Sequence, residues 1–266
     1  MSYLEIVILA FIEGLTEYLP VSSTGHLIIA SAFLGIEDNP FVKSFNIIIQ
    51  FGAILAVLVL YWRRFLPNLD FYKKIVIAFL PAAVIGLAVK NKIDALLGDV
   101  TVVAWALILG GFILIWLDRY EAKRDKSYVP SRKIEDLSWV DCLKLGLIQC
   151  FAFVPGVSRS GATIVGGVYL GMSKKDAAEF SFFLAVPTLA GASLIKTLGL
   201  VKNIESGQIL TLLFGTVLAF LVAMAAIRFF IGLLGKVGFA AFGVYRILLG
   251  LILLALLWGG TGLQMH

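Results

Sequence analysis

Six stretches of this chain are apolar almost without a break, at about residues 45–62, 75–89, 100–117, 180–201, 208–228 and 240–258. A bilayer core takes roughly 20 apolar residues as a helix, because lipid offers no partner to an open backbone N–H or C=O. The second run is short, but Lys74 and Lys90 at its ends can snorkel. Composition points the same way: 60% of the 266 residues are hydrophobic, 15% are charged, and the mean hydropathy is +0.98. No soluble domain of this size needs that much apolar surface. The expected fold class is an all-α polytopic membrane protein. A net charge of +5 would suggest nucleic acid for a soluble chain, but here it points to basic loops, and no nucleic acid is expected as a partner. The first segment carries Glu5 and lacks a basic n-region and a small-residue cleavage site, so it reads as mature protein. Cys142 and Cys150 lie in apolar sequence without a clustered His, which predicts free thiols and neither a disulfide nor a zinc site.

Two further regions are apolar but interrupted. Tyr3 to Ile36 is broken by Pro20-Val21-Ser22-Ser23-Thr24-Gly25-His26, and Trp139 to Met172 by Val154-Pro155-Gly156-Val157-Ser158-Arg159-Ser160-Gly161-Ala162-Thr163. Each limb is too short to span comfortably, so both regions read as re-entrant helical hairpins, tolerated at membrane depth only when buried in protein or lining a cavity. At an offset of 136 residues Glu13 falls on Gln149, Ser22 on Ser158, Gly25 on Gly161, and Leu34-Gly35 on Leu170-Gly171. Each hairpin is followed by three candidate spans. Three is odd, so the second copy starts from the opposite side of the membrane, which makes an inverted-topology repeat. The expectation is a single integral membrane domain over 1–266, with halves at about 1–117 and 139–258 and a polar cytoplasmic loop at 118–138.

Charge supplies the orientation. One face collects fourteen Lys and Arg, in and next to 62–74, 118–136 and 229–239 and at Lys174 and Lys175. The other has five: Lys43, Lys90, Lys92, Lys196 and Lys202. Lys144, Arg159 and Arg246 are unassigned. The positive-inside rule makes the basic face cytoplasmic and puts both termini of this multi-pass chain outside the cell (plasma or inner) membrane.

The breaks carry the chemistry. An arginine at membrane depth costs at least ~2.5 kcal/mol at a helix centre, so Arg159 marks a site facing protein or a cavity. Pro155, Gly156 and Gly161 free backbone amides beside it, and with Ser158, Ser160 and Thr163 they describe a phosphate cradle. In the first break Glu13 and Glu17 stand at i, i+4 on one helical face, and Ser22, Ser23, Thr24 and His26 follow Pro20. Carboxylates can hold a divalent cation or act as base, and Ser or His can attack phosphorus. A Glu–Arg ion pair joining the hairpins would explain a lone pair of charges. Two Glu, one internal His and several hydroxyls in two matching breaks favour a site. His266, at the chain end, is set aside.

At these residues the chain resembles a known family. Glu13-Gly14-Leu15-Thr16-Glu17-Tyr18-Leu19-Pro20-Val21-Ser22-Ser23-Thr24-Gly25-His26 is similar to the first signature of the undecaprenyl-diphosphate phosphatases, and Pro155 to Thr163 to the second. The resemblance implies a membrane enzyme that removes the terminal phosphate of undecaprenyl diphosphate, recycling the lipid carrier of cell-wall synthesis, with a link to bacitracin resistance. It implies a prenyl diphosphate and the bilayer as partners, a divalent metal ion such as magnesium or calcium, and an active site open to the outer face. It leaves room for a homodimer. By motif position, Glu17, Ser23, His26 and Arg159 are implied to be catalytic. Ser22, Ser158, Arg159, Ser160 and Thr163 would bind substrate phosphate, and Glu13 and Glu17 metal. Whether Ser23, His26 or a water attacks stays open. The competing reading is a secondary transporter or flippase for an anionic lipid, since inverted repeats with broken helices are transporter architecture. Transport has no need of His26 with its neighbouring hydroxyls.

Overall fold

A computed structural model describes residues 1–66, 68–96, 99–123, 132–200 and 206–259. Among them lie twelve α-helices: α1 (Tyr3–Thr16), α2 (Ser23–Phe33), α3 (Pro40–Ile48), α4 (Gln50–Leu60), α5 (Leu69–Ala88), α6 (Lys90–Leu96), α7 (Val100–Ala122), α8 (Trp139–Gln149), α9 (Arg159–Tyr169), α10 (Lys174–Leu200), α11 (Ser206–Val237) and α12 (Ala240–Trp258). The starts are written in the sequence as caps. Ser2 with Glu5 and Ser138 with Asp141 form capping boxes, Asn39 precedes Pro40 at the first helical position, and Asp99 takes the amides of Thr101 and Val102.

Five spans are long and apolar enough to cross a membrane: Pro40–Leu60 (α3 with α4), α5, α7, Gln208–Leu234 within α11, and α12. They carry exposed large apolar side chains such as Leu80, Leu109, Phe112, Leu213 and Leu248, as lipid-facing surfaces require. The sixth expected run, 180–201, falls on α10 and reaches into residues outside those described; it is not among the five. The segment expected as a polar loop from residue 118 opens helically, because α7 continues to Ala122.

The helices interlock across the chain. The first helix of each broken region packs on a span from the other half of the sequence: α1 on α11, and α8 on α5. Glycines permit the approach. A Cβ at Gly14 would stand 2.6 Å from the Ala219 carbonyl oxygen, and one at Gly146 would run into the Ala78 carbonyl oxygen and Pro81. The most extensive pairing is α7 with α12. Basic segments far apart in sequence are tied together at one end of the bundle. Arg64 pairs with Glu135 (2.7 Å), Lys74 Nζ donates to the Glu135 carbonyl (2.5 Å), and Arg132 reaches Asp141 (2.6 Å) and the Leu170 carbonyl (2.9 Å). Lys174 meets Asp118, which also accepts from the Ala240 amide (2.6 Å). Cys142 is buried, and both it and Cys150 are free thiols.

Gly14→Ala and Gly146→Ala should each lower the melting temperature of detergent-purified protein, on the scale of ~1–3 kcal/mol for overpacking, because backbone oxygens rather than side-chain tips block the added methyl. Unchanged melting for both would mean that these helix pairs are not in contact.

Candidate active site

Pro20 and Pro155 offer no N–H, so each helix leading in cannot be prolonged through them. The chain re-enters a helix in both places through a serine in the same unusual conformation. Ser22 has φ 73° and ψ 91°, Ser158 φ 75° and ψ 115°, and among the described residues these are the non-glycine residues with positive φ. Such backbone costs of order 1–3 kcal/mol per residue and persists where the surroundings enforce it, most often at functional sites. Each serine caps the helix it starts, its Oγ accepting from the Gly25 amide (3.3 Å) or the Gly161 amide (3.0 Å). The two breaks touch. The Ser160 hydroxyl donates to the Leu19 carbonyl (2.8 Å), and Ser158 and Ser160 share a hydrogen bond (3.0 Å).

At this junction Glu17 is the hub. Arg159 Nη2 donates to Glu17 Oε1 (2.7 Å), and the Ser23 hydroxyl donates to Glu17 Oε2 in a short hydrogen bond. Arg159 Nη1 donates to the Ser181 carbonyl (2.7 Å) and lies 3.2 Å from its hydroxyl, while the guanidinium carbon sits 5.8 Å from the Tyr18 ring centre. Thr163 turns its hydroxyl to Ser181 Oγ (2.8 Å) and the Arg159 carbonyl (2.9 Å). Glu13, one turn before Glu17, is wholly buried, and neither of its carboxylate oxygens has a hydrogen-bond partner among the described residues.

His26 stands apart from this set. Its Nδ1 lies 2.7 Å from the Ser22 carbonyl, which can only accept, so Nδ1 carries a proton; Nε2 of the neutral ring then accepts from the Tyr245 hydroxyl at 2.7 Å. The two rings stack with centres 5.7 Å apart. The structure therefore joins Ser23 to Glu17 and Arg159, and His26 to Tyr245, with no hydrogen bond between Ser23 and His26.

Three residues that the motifs do not single out complete the site. Ser181 and Tyr245 are polar positions in apolar runs, without a local pattern to mark them. Arg246 carried a signal of its own, being a charge inside a span. It is buried on α12 and donates to five backbone carbonyls, of Pro20 and Val157 (3.0 Å each), Gly156 (2.8 Å), Ala106 (3.0 Å) and Leu107 (3.3 Å).

The arrangement offers a hydroxyl poised on a carboxylate, a guanidinium beside it, and two helix starts that meet. For a metal ion, the unpartnered oxygens of Glu13 are the right donors for a hard cation. Groups of three or more His, Cys, Asp or Glu suited to a metal are absent among the described residues, so an ion here would draw its remaining oxygens from substrate or water.

Comparison with known proteins adds a family. The model for the bacitracin resistance protein BacA family matches residues 6–252. An undecaprenyl-diphosphatase of Bdellovibrio bacteriovorus is 58% identical over 265 residues, covering 100% of both chains. One from Flavobacterium psychrophilum is 50% identical over 257 residues (96% of this chain, 95% of the relative), and one from Porphyromonas gingivalis 45% over 286 residues (99% of each).

The strained serines make a local prediction. At positions 22 and 158, Ser→Gly loses only the cap, whereas Ser→Ala loses the cap and keeps the steric cost of positive φ. Alanine should be the less stable of each pair by about 1 kcal/mol. Equal melting temperatures for the glycine and alanine variants would refute the strain.

Proposed function

The chain belongs to the bacitracin resistance protein BacA family, and from that premise we propose how its two breaks do the chemistry of an undecaprenyl-diphosphatase. The enzyme is a multi-pass membrane phosphatase that hydrolyses undecaprenyl diphosphate to undecaprenyl phosphate and inorganic phosphate, returning the lipid carrier to cell-wall synthesis. The observation that carries the residue roles is the buried chain Ser23–Glu17–Arg159, which joins a nucleophile, a base and a cation from the two breaks. The diphosphate competes with Glu17 for the Arg159 guanidinium, whose planar fork suits two phosphate oxygens. As Arg159 turns to substrate, the Glu17 carboxylate takes the Ser23 proton. Ser23 Oγ bonds to the terminal phosphorus, the bond to the bridging oxygen breaks, and undecaprenyl phosphate leaves with that electron pair. Water then displaces phosphate from the serine, whose oxygen regains a proton through Glu17. Ser22, Ser158, Ser160 and Thr163 hold the loops and offer hydroxyls and amides to the phosphate. His26, fixed through Nδ1 on the Ser22 carbonyl, takes or returns a proton at Nε2 through the Tyr245 hydroxyl it meets. Glu13, with Glu17, would hold a divalent metal ion, which when bound supplies positive charge to the diphosphate.

The fold belongs to the same reading. We take the two halves as an inverted-topology repeat, each a re-entrant hairpin and three spans. Supporting this, the 136-residue offset relates the capping boxes at Ser2 and Ser138, the positive-φ serines at 22 and 158, and the positive-φ glycines Gly35 and Gly171. It also relates the pairing of α1 with α11 to that of α8 with α5. The basic segments gathered at one end of the bundle support a cytoplasmic end, with both termini outside.

Phosphate release from detergent-purified enzyme given undecaprenyl diphosphate, with and without chelator, tests the whole reading; no release under either condition sinks it. Glu17→Gln should still purify intact yet lose at least ~100-fold in turnover, the scale of a general base. Arg159→Lys should lose ~2–4 kcal/mol of transition-state stabilisation in an intact fold. Full activity of folded Arg159→Lys would refute the two-oxygen grip. For orientation, single cysteines in 62–74, 118–136 and 229–239, in a background lacking Cys142 and Cys150, should resist impermeant thiol reagents in intact cells. Strong labelling at 118–136 would invert the topology.

A further inference from the structure

Among the described residues the guanidinium of Arg246 meets no carboxylate. Its partners are backbone oxygens, and they come from both breaks: Pro20 in the first, Gly156 and Val157 in the second. Pro20 and Gly156 are themselves 136 positions apart, so one side chain bridges two corresponding carbonyls. The residue 136 positions before Arg246 is Gly110, and a Cβ at Gly110 would overlap the Arg246 guanidinium. The next pair behaves alike, since a Cβ at Gly111 would stand 2.7 Å from Ile247, again 136 positions on. Corresponding positions touch only where a symmetry axis passes between them. On the repeat proposed above, Arg246 therefore lies on the axis relating the two halves, where there is room for one long side chain. The other half contributes a glycine.

An arginine at this point fixes more than the fold. Pro20 lies two residues before Ser22, and Gly156 two before Ser158. Three N–H donors of one rigid plane hold the two loops at one separation, with two more anchoring that plane on α7, and thereby place Ser23 on its carboxylate and Arg159 across the junction. We propose that Arg246 is a positioning residue of the phosphatase reaction, an axial clamp on both loops, and that an arginine at position 110 can do the same work from the other half. The proposal rests on the repeat and on the phosphatase reading above.

The experiment compares the parent enzyme with Arg246→Lys, Arg246→Gly and the double variant Gly110→Arg/Arg246→Gly. Each is purified in detergent, with melting temperature and both kcat and KM for phosphate release from undecaprenyl diphosphate measured. Arg246→Lys keeps the charge but not the planar set of donors, so the folded protein should lose about 100-fold in kcat, the scale of a small misplacement of reacting groups. KM should move much less, since Arg246 does not touch substrate. Arg246→Gly should lose more in kcat and also melt earlier. In the double variant the guanidinium introduced on α7 should reach the Pro20 and Gly156 carbonyls from the other side of the axis, restoring the melting temperature and most of kcat. A merely structural Arg246 would lower yield and melting but leave kcat per folded molecule at the parent value, and that outcome for Arg246→Lys overturns the clamp. A double variant no better than Arg246→Gly, in folding or in kcat, overturns the axial interchange. Absence of phosphate release by the parent enzyme would fault the phosphatase reading instead, and the melting temperatures alone would still decide the axis.

Discussion

Backbone carbonyls opened at membrane depth must find donors inside the protein, because lipid offers none. Here α1 ends at Thr16 and α8 at Gln149, and the segments that follow leave the oxygens of Pro20, Gly156 and Val157 facing the Arg246 guanidinium. The Arg246 guanidinium takes all three and two more from α7. An unsatisfied buried carbonyl costs ~1–3 kcal/mol, and a bare buried cation several, so neither partner is tolerable without the other. Gly110, Gly111 and Gly243 are part of the same solution, since side chains there would meet Arg246 or the backbone of the facing helix. Glycines at these positions let α7 and α12 approach closely while the Arg246 side chain lies between them.

The second arginine plays by different rules. Arg159 is paired with Glu17 in a setting where both side chains are largely buried. A buried ion pair recovers little net stability, because desolvating two charges consumes most of the attraction. Its value lies in what it holds ready. The pair brings one charge from each break to the junction, and the Ser23 hydroxyl completes it. The ion-pair reading and the active-site reading are thus compatible: the contact that ties the two breaks together would, on the mechanism proposed above, also store the guanidinium for an anionic substrate.

Much of this was legible in the sequence because it is local or follows from the bilayer. Apolar runs give spans, prolines and glycines give breaks, and Ser22 and Ser158 sit at the one register where a helix restarts after each break. Residue roles were less accessible. Sequence spacing makes Ser23 and His26 neighbours on α2, yet Ser23 turns back to Glu17 and His26 turns to Tyr245. Rotamer choice across a break is set by elements far away in the chain, so spacing cannot reveal it. Ser181 lies on α10, Tyr245 and Arg246 on α12, and their partners are tertiary. The interlocking of α1 with α11 and α8 with α5 has the same origin: it needs Gly14 and Gly146 to meet particular carbonyls, and a lone glycine in an apolar helix does not name its partner.

The remaining question is why a site for a strongly anionic headgroup should contain two glutamates. The charged side chains at the junction are Glu13, Glu17 and Arg246, which are buried, and Arg159, which is largely so. Glu17 and Arg159 neutralise each other, and the Arg246 charge is spread over carbonyl dipoles between α7 and the two loops. Glu13 is left with two oxygens and no donor among the described residues. In that position the group either takes up a proton and is neutral or needs a cation beside it. A diphosphate would bring further negative charge and enlarge that demand, and a divalent ion, which Glu13 and Glu17 would hold, would supply the missing positive charge.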